Sequence, residues 1–241
     1  VQAALVRLCL ALLFLSTGPA WAAAADSALE KGLAAEVEQF VASDKKQPPA
    51  SCQVLFVGSS SIRKWTTLAH DMAPLPVINR GFGGSHIEYV NRWFDQIVAP
   101  YKPRAIVFYA GENDLDAGKS VARIVADFDA FMARKSAVLG PTPVYFVSVK
   151  PSELRFEQFA QQTELNTLIR RRAGERDDLE YIDLVSPMLE RGKPKNIFEK
   201  DRLHMTPAGY AIWTRVIKSA LLPQAEAQER TCTQRANSAS Y

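Results

Sequence analysis

Five short runs rich in Val, Ile, Phe and Tyr, at 53–58, 77–81, 105–111, 144–150 and 180–185, alternate along the chain with longer stretches of helical periodicity. Runs of that length and composition read as strands, and their near-continuous apolarity indicates burial on both faces. The helical stretches fall at 85–98, 120–139 and 155–172, and a last one follows Thr206-Pro207. There Thr206 is placed to cap the helix and Pro207 takes its first position, where the missing N–H costs nothing. Tyr210, Trp213, Ile217 and Leu221 then share one face. This alternation predicts an α/β fold: a three-layer α/β/α sandwich around a mainly parallel five-stranded sheet.

The ends of the chain read differently from its middle. Arg7, the apolar run 8–15, the helix break Gly18-Pro19 and the small-x-small triplet Ala20-Trp21-Ala22 have the form of a cleavable leader over 1–22. That implies a periplasmic or secreted protein with no stable membrane insertion once the leader is removed. Leu29, Leu33, Val37, Phe40 and Val41 recur at helical spacing after Asp26 or Ser27, so 23–51 is read as an N-terminal helix and a linker containing Pro48-Pro49. The main domain is 52–222, and a polar tail occupies 223–241. Past the leader only Cys52 and Cys232 remain, an even pair that exported chains join as a disulfide when the fold brings the ends together, and otherwise leave as two thiols. Lys and Arg number 29 against 26 Asp and Glu, and Arg170-Arg171-Arg172 lies on a helical face, so no nucleic-acid partner is expected.

A parallel sheet presents its ligand-binding loops at the carboxyl ends of its strands. Those loops are Gly58-Ser59-Ser60-Ser61, Gly81-Phe82-Gly83-Gly84 and Gly111-Glu112-Asn113-Asp114, with Asp201-Arg202-Leu203-His204 near the end. Serine becomes a nucleophile when histidine takes its proton and a carboxylate orients that histidine, and Asp201 and His204 sit three residues apart in the last segment. Acyl transfer also requires donors for the developing oxyanion, which backbone N–H groups of a glycine turn and the Asn113 amide can supply. Each element has a plainer reading: glycines that permit positive φ, an Asn113-Asp114 helix cap, a structural histidine. Their joint occurrence in this order favours chemistry.

Other chemistries lack their residues. No Gly-x-Ser-x-Gly elbow, dinucleotide fingerprint or phosphate-loop lysine is present, and His86 with Glu88 has no third zinc ligand at a suitable spacing. His86 is read as a pocket-lining residue, Arg80 and Arg92 as surface arginines with contact to a substrate carboxylate or oxygen as the alternative, and Lys150-Pro151-Ser152 as a turn with a pocket wall as the alternative. No metal or organic cofactor is expected.

The four loop segments resemble the conserved blocks of the SGNH hydrolase superfamily, the GDSL esterases and lipases, over most of the chain. The resemblance implies a flavodoxin-like sheet and a serine esterase. Carried over residue by residue, it implies Ser60 as nucleophile, supported by the spacing to Trp65. It also implies Asp201 and His204 as the other triad members, and the Ser60 and Gly84 N–H groups with Asn113 as the oxyanion hole. Ser59 stands where the family has aspartate, which leaves Ser59 and Ser61 as further nucleophile candidates beside Ser60. The implied substrate is a short acyl ester such as acetylated carbohydrate. The alternatives are a lysophospholipase or thioesterase acting on longer chains, and a non-catalytic flavodoxin-like binding module.

Overall fold

The computed structural model describes residues 20–238. The leader expected over 1–22 therefore lies outside the described residues, except for 20–22, which open the first helix. That helix, α1 (Ala20–Lys46), starts ahead of the expected Asp26 or Ser27. Then follow β1 (Val54–Gly58), α2 (Ser60–Arg63), α3 (Leu68–Met72), β2 (Val77–Gly81), α4 (Ile87–Arg92), α5 (Phe94–Ile97), β3 (Ala105–Tyr109), α6 (Glu112–Asp116) and α7 (Val121–Leu139). The second half holds β4 (Val144–Val147), α8 (Phe159–Gly174), β5 (Leu179–Ile182), α9 (Val185–Met188), β6 (Leu189–Glu190), β7 (Lys193–Pro194), α10 (Pro207–Leu221) and α11 (Ala225–Ser238).

β1 to β5 form one sheet in the order β2-β1-β3-β4-β5, every pairing parallel. Alternate side chains of the central strands go to opposite faces, as the strand period of two requires. Leu55, Val57, Ile106, Phe108, Val144 and Phe146 pack under α1, α4, α5, α7 and α8. Val54, Phe56, Val107, Tyr109, Tyr145 and Val147 pack under α2, α3 and α10, with Trp65 and Trp213 filling that layer. The sandwich expected from the alternation is thus the fold observed.

Boundaries differ where side chains take over the ladder's hydrogen bonds. β4 stops at Val147 rather than residue 150, because the Asn166 side chain of α8 accepts from Val149 N (2.8 Å) and donates to Val149 O (3.0 Å). Leu184 N likewise donates to Ser148 Oγ at 2.8 Å, ending β5 at Ile182. The helix expected over 85–98 breaks at Trp93 into α4 and α5. Thr206 does precede α10, but its hydroxyl donates to Ile197 O (3.1 Å) instead of capping the helix.

The segment read as a polar tail folds as α11. Its apolar periodicity is weak because it docks through polar contacts: Arg104 to Glu229 at 3.1 Å and Gln228 Nε2 to the Tyr145 hydroxyl at 2.7 Å. Cys232 is buried and joined to Cys52 in a disulfide, with Cα atoms 5.8 Å apart. α11 therefore covers the amino ends of the strands, opposite the loops that carry the candidate chemistry. No helix among the described residues is long and apolar enough to cross a membrane.

Candidate active site

β1 ends at Gly58, with φ +136°, pressed against the next strand. A Cβ there would lie 1.9 Å from Tyr109 O, so only glycine lets the backbone turn out of the sheet at this point. Ser59 N is tied to Tyr109 O at 2.9 Å, and Ser60 becomes the first residue of α2, where its N–H has no intrahelical acceptor. Of the three serines Ser60 is the most exposed, 9% against 3% for Ser59 and 2% for Ser61. The Ser60 hydroxyl donates to His204 Nε2 at 2.8 Å, and His204 Nδ1 donates to Asp201 Oδ2 at 2.6 Å. Asp201 as acceptor fixes that tautomer.

The loop holding Asp201 and His204 is wound tightly on itself. Asp201 Oδ1 accepts from Leu203 N (3.0 Å) and His204 N (2.9 Å), Glu199 N donates to His204 O (2.7 Å), and Arg202 takes φ +59° to close the turn. Burial alone would raise the Asp201 carboxyl, but the His204 ring and the two amides overcome it and hold it well below the usual carboxylate range. Desolvation lowers the His204 imidazole from its ordinary value; Asp201 opposes this, while Lys64 and Lys150 add to the lowering.

Gly84 and Asn113 emerge from β2 and β3, the two strands flanking β1. Gly84 has φ +70°, and its N–H makes no hydrogen bond among the described residues. Asn113 Nδ2 donates to Ser85 O (3.1 Å), linking the two loops and leaving its second hydrogen unspent. Arg155 Nη1 donates to Asn113 Oδ1 (2.9 Å) while Nη2 donates to Asp116 (2.8 Å), so the amide cannot turn over. Asp114, the plainer cap candidate, accepts from Ile87 N and Lys119 and so caps α4, not its own helix.

A family model described as GDSL-like lipase/acylhydrolase matches residues 52–212. The chain belongs to the GDSL-like lipase/acylhydrolase family. Members act on ester-linked acyl groups, which makes this chain an ester-hydrolysing enzyme. No curated protein matches it by sequence. Among solved structures it is similar to a GDSL-like lipase from Bacteroides thetaiotaomicron, at 21% identity and TM-score 0.65, over 76% of this chain and 96% of that one. It is also similar to a carbohydrate esterase family 3 protein from Talaromyces cellulolyticus, at 15% identity and TM-score 0.59, over 73% and 99%. The acetylxylan esterase Axe2 from Geobacillus stearothermophilus matches at 14% identity and TM-score 0.57, over 70% and 94%. At these identities the likeness is one of fold.

Within this GDSL-like enzyme several residues differ from their sequence reading. Lys150 and Ser152, read as a turn, are fully buried under the third loop. Lys150 and the Tyr109 hydroxyl contact Glu112 Oε2, and Ser152 donates to Oε1 at 2.8 Å. Burial opposes the charge on Glu112, but Lys150 and Arg155 overcome it and keep the carboxylate ionised beside Asn113. Lys64 was not singled out at all, yet its Nζ lies 3.1 Å from His204 Nδ1 and 3.5 Å from Asp201 Oδ2. Only its place one turn after Ser60 could have drawn attention to it. Trp65 is a packing residue, donating to Asp71 at 2.7 Å and stacked on Tyr210. His86 is buried against Tyr89, and Arg80 is no surface arginine, being tied to Asp44 and Tyr101. No cluster among the described residues could hold a metal ion.

Proposed function

We propose that the chain is an exported serine esterase that removes short acyl groups, acetyl above all, from carbohydrate esters. Ser60 is the nucleophile. His204 takes its proton as the serine attacks the ester carbonyl, and Asp201 holds the histidine in the required tautomer and stabilises the imidazolium. The tetrahedral oxyanion is received by the N–H groups of Ser60 and Gly84 and by the second Asn113 Nδ2 hydrogen. His204 then protonates the leaving alcohol and activates the water that releases the acid. The observation that carries this reading is His204 bridging Asp201 and Ser60 at 2.6 and 2.8 Å.

Two observations support a short acyl group on a polar alcohol. A groove of about 610 Å³ runs from Lys64 past the His204 loop, and although most of its surface is apolar, Thr66, Thr67, His70, Glu199 and Arg215 supply hydrogen-bonding groups for a polar alcohol. An apolar cavity of about 280 Å³ lies instead at the amino ends of the strands against Pro103, Leu139 and Cys232, at the opposite end of the sheet from Ser60. The acetylxylan and carbohydrate esterases among the structural relatives agree with that choice. An acyl-length series on p-nitrophenyl esters, with acetate release from acetylated xylan fragments, tests it. Fastest turnover of the acetyl ester is expected; octanoyl turned over faster than acetyl would move the assignment to the lysophospholipase or thioesterase alternative.

The pH profile follows from the same site. A histidine base works only when neutral, so its lowered value carries activity below the usual histidine range before the acid limb falls. Lys64 opposes the imidazolium. Lys64→Gln is therefore expected to shift the acid limb of kcat/KM upward in pH, measured between about pH 4 and pH 8. A limb that stays put or moves down would remove Lys64 from the electrostatics of the site.

A further inference from the structure

Helix α1 lies outside the stretch matched by the family, residues 52–212, yet its side chains meet the glycine loop. Glu36 uses both carboxylate oxygens there. Oε1 accepts from Arg63 Nη1 at 2.8 Å, and Oε2 accepts from Gly83 N at 3.1 Å. Arg63 closes α2, the helix that Ser60 opens. The fit is close, since a Cβ on Gly83 would lie 2.7 Å from Arg63 Nη1. One residue on, the Leu29 side chain of α1 stands 3.3 Å from where a Cβ of Gly84 would be, walling that side of the loop.

We propose that Glu36 is a positioning residue that fastens the Gly83-Gly84 loop to the Ser60 helix, so that α1 completes the oxyanion site. The inference rests on the reading of Ser60 and Gly84 given above. A segment with glycine at 81, 83 and 84 has wide backbone freedom, and its peptides reorient unless something holds them. Glu36 engages the Gly83 N–H and turns that amide toward α1. The next N–H, that of Gly84, has no acceptor among the described residues and stays available to an oxyanion. A donor that stabilises a transition state must be fixed before the charge develops, and a displacement of about 1 Å costs on the order of 100-fold in rate.

The helix does not depend on Glu36 for its attachment. Leu33 and Val37 are buried in the core, Asp44 pairs with Arg80 and Tyr101, and Glu30 pairs with Arg92. Glu36 variants should therefore keep α1 docked, and Glu30→Ala removes an ion pair of the same helix that touches neither Gly83 nor Arg63.

The experiment measures kcat, KM and melting temperature for full-length wild type, Glu36→Ala, Glu36→Gln and Glu30→Ala with p-nitrophenyl acetate, beside Ser60→Ala. The expected result is a loss of about 10- to 100-fold in kcat for Glu36→Ala with KM nearly unchanged. Glu36→Gln, which keeps an oxygen for the Gly83 N–H, should recover most of it, and Glu30→Ala should match wild type. Wild-type kcat in Glu36→Ala, or equal losses in Glu36→Ala and Glu30→Ala tracking a fall in melting temperature, would overturn the positioning role. Failure of the serine esterase reading shows separately, as a Ser60→Ala enzyme that is still fully active.

Discussion

His204→Ala is expected to lower kcat/KM for an acetyl ester by about 10⁴-fold or more while leaving the melting temperature close to wild type. Among the described residues the Ser60 hydroxyl has only His204 Nε2, 2.8 Å away, as the recipient of its proton, and without it the alcohol attacks at the rate of an unactivated serine. The alcohol leaving group also loses its proton donor. A factor of 10⁴ is about 5 kcal/mol of transition-state stabilisation, and the donors left in place should preserve a residual rate above the uncatalysed one. Asp201→Asn is expected to cost a similar factor for a different reason. Its retained oxygen can still accept from the Leu203 and His204 amides, while its NH₂ would face His204 Nδ1 and favour the tautomer that cannot take the serine proton. Steady-state kinetics on both variants, with thermal melts to establish folding, checks this; a His204→Ala enzyme within tenfold of wild type would contradict it.

Lys150→Met is expected to carry the largest cost in stability, about 3–5 kcal/mol in chemical denaturation. Lys150 is fully buried, and its charge is balanced by Glu112, which is itself nearly inaccessible. Burial lowers the lysine from its ordinary value and Glu112 holds it up; removing it strands a carboxylate with the Tyr109 hydroxyl and Ser152 as its direct donors. Pairing Lys150→Met with Glu112→Leu should be milder than Lys150→Met alone, because the two charges then leave together. A Lys150→Met protein within about 1 kcal/mol of wild type would mean that water reaches the pair. The network also frames Asn113, the residue after Glu112, so the single variant should lose activity before it unfolds.

The sheet was legible because buried parallel strands are written as unbroken apolar runs, and 77–81 was read with the bounds that β2 has. Strand ends were overrun at residues 148–150 and 183–185 because Asn166 and Ser148, from other parts of the chain, replace ladder bonds, and local composition carries no trace of that. The candidate site was legible through four short segments whose residue types suit one reaction, and the fold brings Ser60, His204 and Asp201 within hydrogen-bond distance. What escaped were the charges that support it. Lys64, Arg155, Lys150 and Glu36 are ordinary polar residues in sequence, and only the folded chain brings them to His204, Asn113, Glu112 and Gly83. Helix α11 was missed because polar contacts and the Cys232 link hold it, not an apolar stripe.

The most direct measurement of the central claim is labelling with a serine-directed phosphonate, followed by mass spectrometry of the peptide holding Ser59, Ser60 and Ser61. One adduct per chain is predicted, on Ser60, formed quickly by wild type and lost in Ser60→Ala, with labelling slowed by orders of magnitude in His204→Ala. An adduct on Ser59 or Ser61, or labelling that proceeds unchanged without His204, would contradict the account.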